Sequence, residues 1–321
     1  MMLGLVLAAT GLAAADSEYY VREEIPLPEG EVMEIGSIAL MPDQKVAVTT
    51  RRGDLWICEG AHGEDLSLVK WSLFARGLHE PFGMFYQDGW FTLTQRPEIT
   101  KLRDRDGDGR ADEFRTLAAP WGISGDYHEY NFGSDPDKDG NIWTVSCLTG
   151  SSGARADWRG WAFRVSPDGK AEPVCSGVRS PGGIGFNREG DAFYMDNQGL
   201  WNGSSALKHL KPGGFMGNPS GNKFHALAGL PEPPNPKSDS RMETERKRFP
   251  KLVPPAVIFP HGKIGQSPTG VIWDQTDGKF GPFAGQVFVG EQCHSQVQRV
   301  FLEKVNGVYQ GAVWHLSLIH I

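Results

Sequence analysis

The sequence predicts an all-β fold, a β-propeller in which each repeat forms one four-stranded blade. Three observations carry that reading. The stretch Ser176–Asn197 runs loop, short apolar strand (Gly183–Phe186), polar turn (Asn187–Gly190), second strand (Asp191–Met195) and loop again. Aromatic and branched residues bounded by Gly, Pro and Asn are the composition of strands and hairpin turns. The unit also recurs: Pro181-Gly-Gly183-Ile-Gly-Phe186 is echoed by Pro81-Phe-Gly83-Met-Phe-Tyr86 and by Pro268-Thr-Gly270-Val-Ile-Trp273. A degenerate repeat built only of strands points to a propeller. Finally, the 321 residues include 41 glycines, 22 prolines and 10 tryptophans without any long helical periodicity, which suits one large all-β domain.

Taken in chain order, strands A to D of each blade can be assigned. Blade one takes Ile35–Met41, Lys45–Thr50, Asp54–Cys58 and Val69–Phe74. Blade two takes Phe82–Tyr86, Trp90–Thr94, Ile99–Arg103 and Glu113–Ala118. Blade three takes Tyr130–Ser134, Asn141–Cys147, Trp161–Val165 and Lys170–Val174, with Asp-Gly turns at Asp139-Gly140 and Asp168-Gly169. Blade four starts with the repeat at Gly183 and continues through Ala206–Leu210 to Ala256–Phe259. Between them lies a Pro/Gly-rich, charged insertion at about 211–255, expected to be a partly mobile surface excursion. Blade five takes Thr269–Trp273, Gln286–Val289, Gln296–Leu302 and Val308–Trp314.

The ends and the composition set further bounds. The apolar run at residues 1–15, ending in Ala13-Ala14-Ala15, reads as a secretory signal peptide, so a secreted or periplasmic protein is expected. Without a Lys or Arg in front of that run, the true start is expected upstream. Leu316–Ile321 matches the translation of a transposon-end sequencing adapter (CTG TCT CTT ATA CAC ATC) and is set aside. The natural chain is then expected to continue past His315, leaving this one a fragment. No later segment is apolar enough to span a bilayer. The net charge of −7, with scattered basic residues, argues against nucleic acid as a partner. Cys58, Cys147, Cys175 and Cys293 form no CxxC or CxxCH, which leaves no thiolate metal site or covalent haem, and no disulfide pairing can be read.

Strand order places the chemistry. In a propeller the D-to-A connections and B-to-C loops share one face. That face receives His79-Glu80, Arg96, Asp126-Tyr-His128-Glu129, Arg179, His261 and Glu291–His294, and so marks a polar mouth of the channel as the candidate site. On the other face, Asp104-Arg-Asp106-Gly-Asp108-Gly-Arg110-Ala-Asp112 sets carboxylates at loop positions one, three, five and nine, a pattern suited to calcium. Arg115 stands where an EF-hand has its bidentate Glu, so a thrombospondin- or dockerin-like calcium loop is the better comparison. An ordinary acidic hairpin is the alternative. Lying away from the mouth, such an ion would be structural.

Five segments are recognisable together: His79–Gly83, Leu102–Glu113, Trp158–Val165, Arg179–Asn187 and Gly265–Gly270. From about Tyr20 to Trp314 the chain resembles a family of large secreted propeller proteins described as membrane-bound dehydrogenases, often fused to a C-terminal cytochrome-like haem domain. More distantly it is similar to the soluble quinoprotein glucose/sorbosone dehydrogenases, six-bladed propellers that use pyrroloquinoline quinone (PQQ) and calcium. The resemblance implies a six-bladed β-propeller, truncated here after about five blades, with Tyr20–Leu27 supplying a strand to the sixth. It implies a sugar or polyol substrate and a cytochrome c-type electron acceptor. The family's Gly-x-Arg-Asn-Pro-x-Gly segment matches Gly177-Val-Arg179-Ser180-Pro181-Gly-Gly183, so Arg179 would contact the quinone, with Ser180 replacing the Asn. The family's catalytic His corresponds to His128. Its cofactor-calcium ligands have no clear counterpart.

Three functions compete on these residues. One is an exported PQQ-type dehydrogenase of a sugar or related alcohol. Another is a non-catalytic propeller binding glycan or protein partners. The last is a gluconolactonase-like metal hydrolase, with Glu129, Asn197 and Glu291 as ligands at the mouth.

Overall fold

The computed structural model describes residues 19–316. The signal-peptide segment and the last five residues of the adapter-like tail lie outside them. Twenty strands form five four-stranded antiparallel sheets, each a simple meander of four consecutive strands. Blade one is β1 (Ile35–Leu40), β2 (Val46–Thr50), β3 (Leu55–Glu59) and β4 (Lys70–Ala75). Blade two is β5 (Met84–Gln87), β6 (Trp90–Thr94), β7 (Ile99–Arg103) and β8 (Glu113–Ala118). Blade three is β9 (Asn131–Pro136), β10 (Ile142–Ser146), β11 (Trp161–Val165) and β12 (Ala171–Ser176). Blade four is β13 (Pro181–Phe186), β14 (Ala192–Asp196), β15 (Ser205–His209) and β16 (Val257–Phe259). Blade five is β17 (Pro268–Trp273), β18 (Val287–Glu291), β19 (Gln296–Val305) and β20 (Val308–Leu316).

The core lies between blades. One cluster joins Leu55 and Phe74 of blade one to Phe91 and Leu93 of blade two. Ile99 packs with Trp161 and Phe163, Val145 with Tyr194, and Phe193 with Val287 and Val289. Alternation along each strand sends one apolar set to each neighbour, which is why buried runs such as Ile142–Ser146 are closed on both faces.

The repeated glycines explain how closely the inner strands approach. A β-carbon on Gly83 would stand 2.7 Å from the Gly133 backbone of the next blade. One on Gly183 would stand 2.9 Å from the Gly270 Cα. Real side chains do not tolerate such distances, so β5 meets β9 and β13 meets β17 main chain to main chain.

Two segments depart from expectation. The insertion is wrapped onto blades three and four, with Phe215, Met216, Phe224, Leu252 and Val253 all buried. Trp161 Nε1 donates to the Gly221 carbonyl (2.8 Å), and a short helix α1 (Met242–Arg248) buries Glu245. Its apolar residues are too widely spaced between Pro, Gly and Lys to show as a periodic pattern. Residues 20–27 carry no strand. Instead they strap blade five to blade one: the Tyr20 hydroxyl donates to the Phe280 carbonyl (2.9 Å), and Trp71 Nε1 donates to that of Pro26 (2.8 Å). Leu316, assigned to the adapter, is buried against Tyr20 and Phe288. The four cysteines are unpaired, and no helix among the described residues is long and apolar enough to cross a membrane.

Candidate functional site

The blades surround a channel of about 1810 Å³ whose wall includes Tyr130, His128, Ser180, Gly182, Asn197 and Gln292. His128 is carried by the connection from β8 to β9. Asp126 shapes that turn, its carboxylate accepting the backbone N–H groups of His128 (2.9 Å) and Gly150 (3.0 Å), and those bonds hold its pKa low. His128 Nδ1 lies 3.1 Å from the Leu148 carbonyl, which can only accept. The proton therefore sits on Nδ1 and Nε2 presents its lone pair. Two hydroxyls face that lone pair, Ser151 Oγ at 2.9 Å and Ser180 Oγ at 3.3 Å. Burial pushes the imidazole pKa below its ordinary value. Arg179 and Arg159 push the same way, and the Leu148 bond and Asp126 act against it.

Arg179 sits one step behind the channel wall. Its stem packs on Gly199, and its Nε donates to the Ser151 carbonyl at 3.2 Å, so Ser151 links Arg179 to His128. The guanidinium borders a small recess with Trp201 and Asn218, and no carboxylate pairs with it among the described residues. The Arg179–Ser180 backbone is fixed from below. Asp196 accepts the N–H groups of Ser180 (2.8 Å) and Arg179 (3.4 Å), the Tyr194 hydroxyl (3.0 Å) and Lys208 Nζ (2.9 Å). Both members of the Asp196–Lys208 pair are buried.

Arg159, which sequence reasoning missed, is wholly buried beneath this site. It donates to the carbonyls of Cys147 (2.7 Å) and Tyr130 (2.6 Å), and burial lowers its pKa to about 10. Ser151 was also missed. The only signal for either was a Gly-Ser-Ser-Gly loop and a Trp-Arg-Gly-Trp run without an assigned purpose.

The acidic groups proposed as hydrolase ligands are otherwise engaged. Glu129 is buried and accepts Ser124 N (2.6 Å) and Ser124 Oγ (2.8 Å). Glu291 accepts four backbone N–H groups, from Gln266, Ser267, Cys293 and His294. Asn197 Nδ2 donates to the Ser180 carbonyl. Each of these side chains is engaged in closing its own loop.

On the β7–β8 hairpin, Asp104, Asp106 and Asp108 offer ligand oxygens within 4.8 Å of one another. Asp104 accepts the N–H groups of Gly107 (2.7 Å) and Gly109 (2.8 Å), which lower its pKa. Asp112 is not among the three: its carboxylate is turned to the Arg105 N–H at 2.9 Å.

This meander of blades around a channel is similar in fold to several solved sugar dehydrogenases. The PQQ-bound aldose sugar dehydrogenase of Streptomyces coelicolor superposes with a TM-score of 0.62 at 13% identity, covering 89% of this chain and 81% of its own. The PQQ domain of pyranose dehydrogenase from Coprinopsis cinerea gives 0.60 at 13%, covering 89% and 79%. A glucose dehydrogenase gives 0.63 at 15%, covering 90% and 88%. Identities this low establish the fold. The chain belongs to the family described as domain of unknown function DUF7133, whose model matches residues 39–312. No curated protein matches it.

Proposed function

We propose that this protein is an exported PQQ-dependent dehydrogenase that oxidises a sugar or related alcohol and passes electrons to a cytochrome c-type acceptor. The observation that carries this is the His128 imidazole at the wall of an open channel, its Nδ1 against the Leu148 carbonyl, in a fold shared with a PQQ-bound enzyme. The groups present suit the quinone. The channel has room for a flat tricarboxylate. Arg179, one step behind the wall beside Ser151, has no carboxylate paired with its guanidinium among the described residues and would reach a quinone carboxylate past that loop, in the fork by which arginine grips carboxylates. When bound, the quinone supplies the acceptor for the hydride. His128 takes the alcohol proton at Nε2, and a substrate hydroxyl reaching it displaces that of Ser151. The Leu148 carbonyl supports the imidazolium that results. A sixth blade belongs to the same reading, supported by Ile38 and Leu40 left exposed on blade one.

Equilibrium titration of full-length protein with PQQ in calcium, followed by turnover with an artificial acceptor, tests the proposal. Arg179→Ala is expected to weaken quinone binding by about 1.5–3 kcal/mol, the scale of a hydrogen bond to a charged group. Failure of the wild type to bind the quinone removes the dehydrogenase reading and leaves the propeller that binds glycan or protein partners.

We also propose that Asp104, Asp106, Asp108 and Asp112 hold a structural calcium, with Asp112 releasing Arg105 to join the other three. Binding to the native state alone stabilises by mass action, about 2.7 kcal/mol at a hundredfold excess over Kd. Calorimetry should show a higher melting temperature in calcium than in chelator. Equal melting temperatures, with no calcium in the protein by elemental assay, would sink this.

A further inference from the structure

The loop that carries His128 is gripped from blade two by the Arg96 side chain. Arg96 lies on the connection after β6 in blade two and is 6% exposed. Its Nη1 donates to the Asp126 carbonyl and its Nη2 to that of Tyr127, both at 2.7 Å. These are the two carbonyls immediately before His128. The Arg96 carbonyl accepts Trp121 Nε1 (2.8 Å) and Asn131 Nδ2, at the two ends of the same loop.

Arg96 is itself locked. Its guanidinium lies over the Tyr130 ring, 4.9 Å from the centroid, and is ion-paired with Glu80. Glu80 adopts a left-handed backbone (φ +48°), which a residue with a β-carbon rarely takes. Glu80 in turn meets Arg51 (3.4 Å), which pairs with Glu34 (2.6 Å). A buried ion pair gains little net stability, because desolvation offsets the attraction, so stability alone does not explain this one. Bonding two consecutive carbonyls from one plane requires the arginine fork, and a lysine cannot reproduce it.

We propose that Arg96, locked by Glu80, is the positioning residue for His128. It fixes the Asp126–Tyr127–His128 turn so that Nδ1 meets the Leu148 carbonyl and Nε2 meets the Ser151 and Ser180 hydroxyls. The proposal rests on His128 being the proton acceptor, yet it can be tested without turnover. The charged groups around the imidazole are Asp126 on its own loop, Arg159 from blade three and Arg179 from the connection to blade four.

Full-length protein with ¹⁵N-labelled histidine reports the tautomer through the ring nitrogen shifts, with His128→Gln assigning the signal. The wild type should show one neutral tautomer protonated on Nδ1. In Arg96→Lys the two nitrogen signals should move toward each other. Turnover should fall about 10²-fold, the scale of a misplaced catalytic group. KM and quinone affinity should stay within about twofold, since the interaction lost acts on the chemical step. Glu80→Gln should shift the same signals in the same direction, and carries the test if Arg96→Lys does not fold. Wild-type nitrogen shifts in both variants, with turnover within about twofold of the parent, would overturn the proposal. If the wild type oxidises no sugar, the dehydrogenase reading fails, and the nitrogen shifts alone decide the role of Arg96.

Discussion

His128→Ala should lower turnover about 10²–10⁴-fold while leaving quinone affinity nearly unchanged, because only the proton transfer is lost. The geometry behind this is the lone pair on Nε2, set by the Nδ1 bond to Leu148 and met by the Ser151 and Ser180 hydroxyls at the channel wall. The wild-type pH profile supplies the sign. Burial lowers the His128 pKa, so the base stays neutral to a lower pH than a free imidazole, and the acid limb of kcat/KM should fall below 6.5. His128, His209 and His225 all titrate below their unfolded value for the same reason. In each case the unfolded chain binds the proton first. Their contribution to stability is therefore complete above about pH 6.5 and is lost as pH falls through and below it. An acid limb at or above 6.5, or full activity in His128→Ala, would move the base elsewhere, with His261 and His294 next in line.

Lys208→Met should destabilise the fold by about 3–5 kcal/mol, because it leaves the Asp196 carboxylate buried without its cation. Lys208 also donates to the Met216 carbonyl at 3.0 Å, which ties the start of the insertion to blade four. The double variant Asp196→Asn, Lys208→Met should recover most of the loss, since removing both charges also removes the desolvation cost. Urea unfolding of the four proteins measures the cycle. A loss below about 1 kcal/mol for the single variant, the scale of an exposed pair, would mean that water reaches Asp196. The double variant should still bind the quinone less well, because the Arg179 and Ser180 N–H groups lose a charged acceptor.

The frame was legible because its signals are local. Alternating apolar residues and Asp-Gly turns set β6, β7, β8 and β11 to the residue, and most other strands to within two. The faces of the propeller followed from strand order alone, which was enough to bring His128 and Arg179 to one mouth. What stayed hidden depends on side chains meeting across blades. Nothing local says that Ser151 reaches His128, or that the Arg96 guanidinium crosses to the next blade. The Glu129 and Glu291 carboxylates read as free ligands because backbone N–H donors leave no trace in a sequence. Residues 20–27, which the resemblance assigned to a strand of a sixth blade, are held here by an aromatic ring and one indole bond.

The glycine-to-glycine meeting of the inner strands has a consequence for how such a protein can change. At Gly83, Gly133 and Gly183 an added side chain would strike the main chain of the next blade or Thr94, so the spacing of neighbouring inner strands admits no adjustment by substitution there. Variation that alters what enters is left to positions free of those contacts, among them the loops at 121–130, 149–153 and 197–202. These loops rest on anchors in blades two to four that are separate in sequence. A new specificity can therefore be written one loop at a time, without disturbing the frame that holds the others.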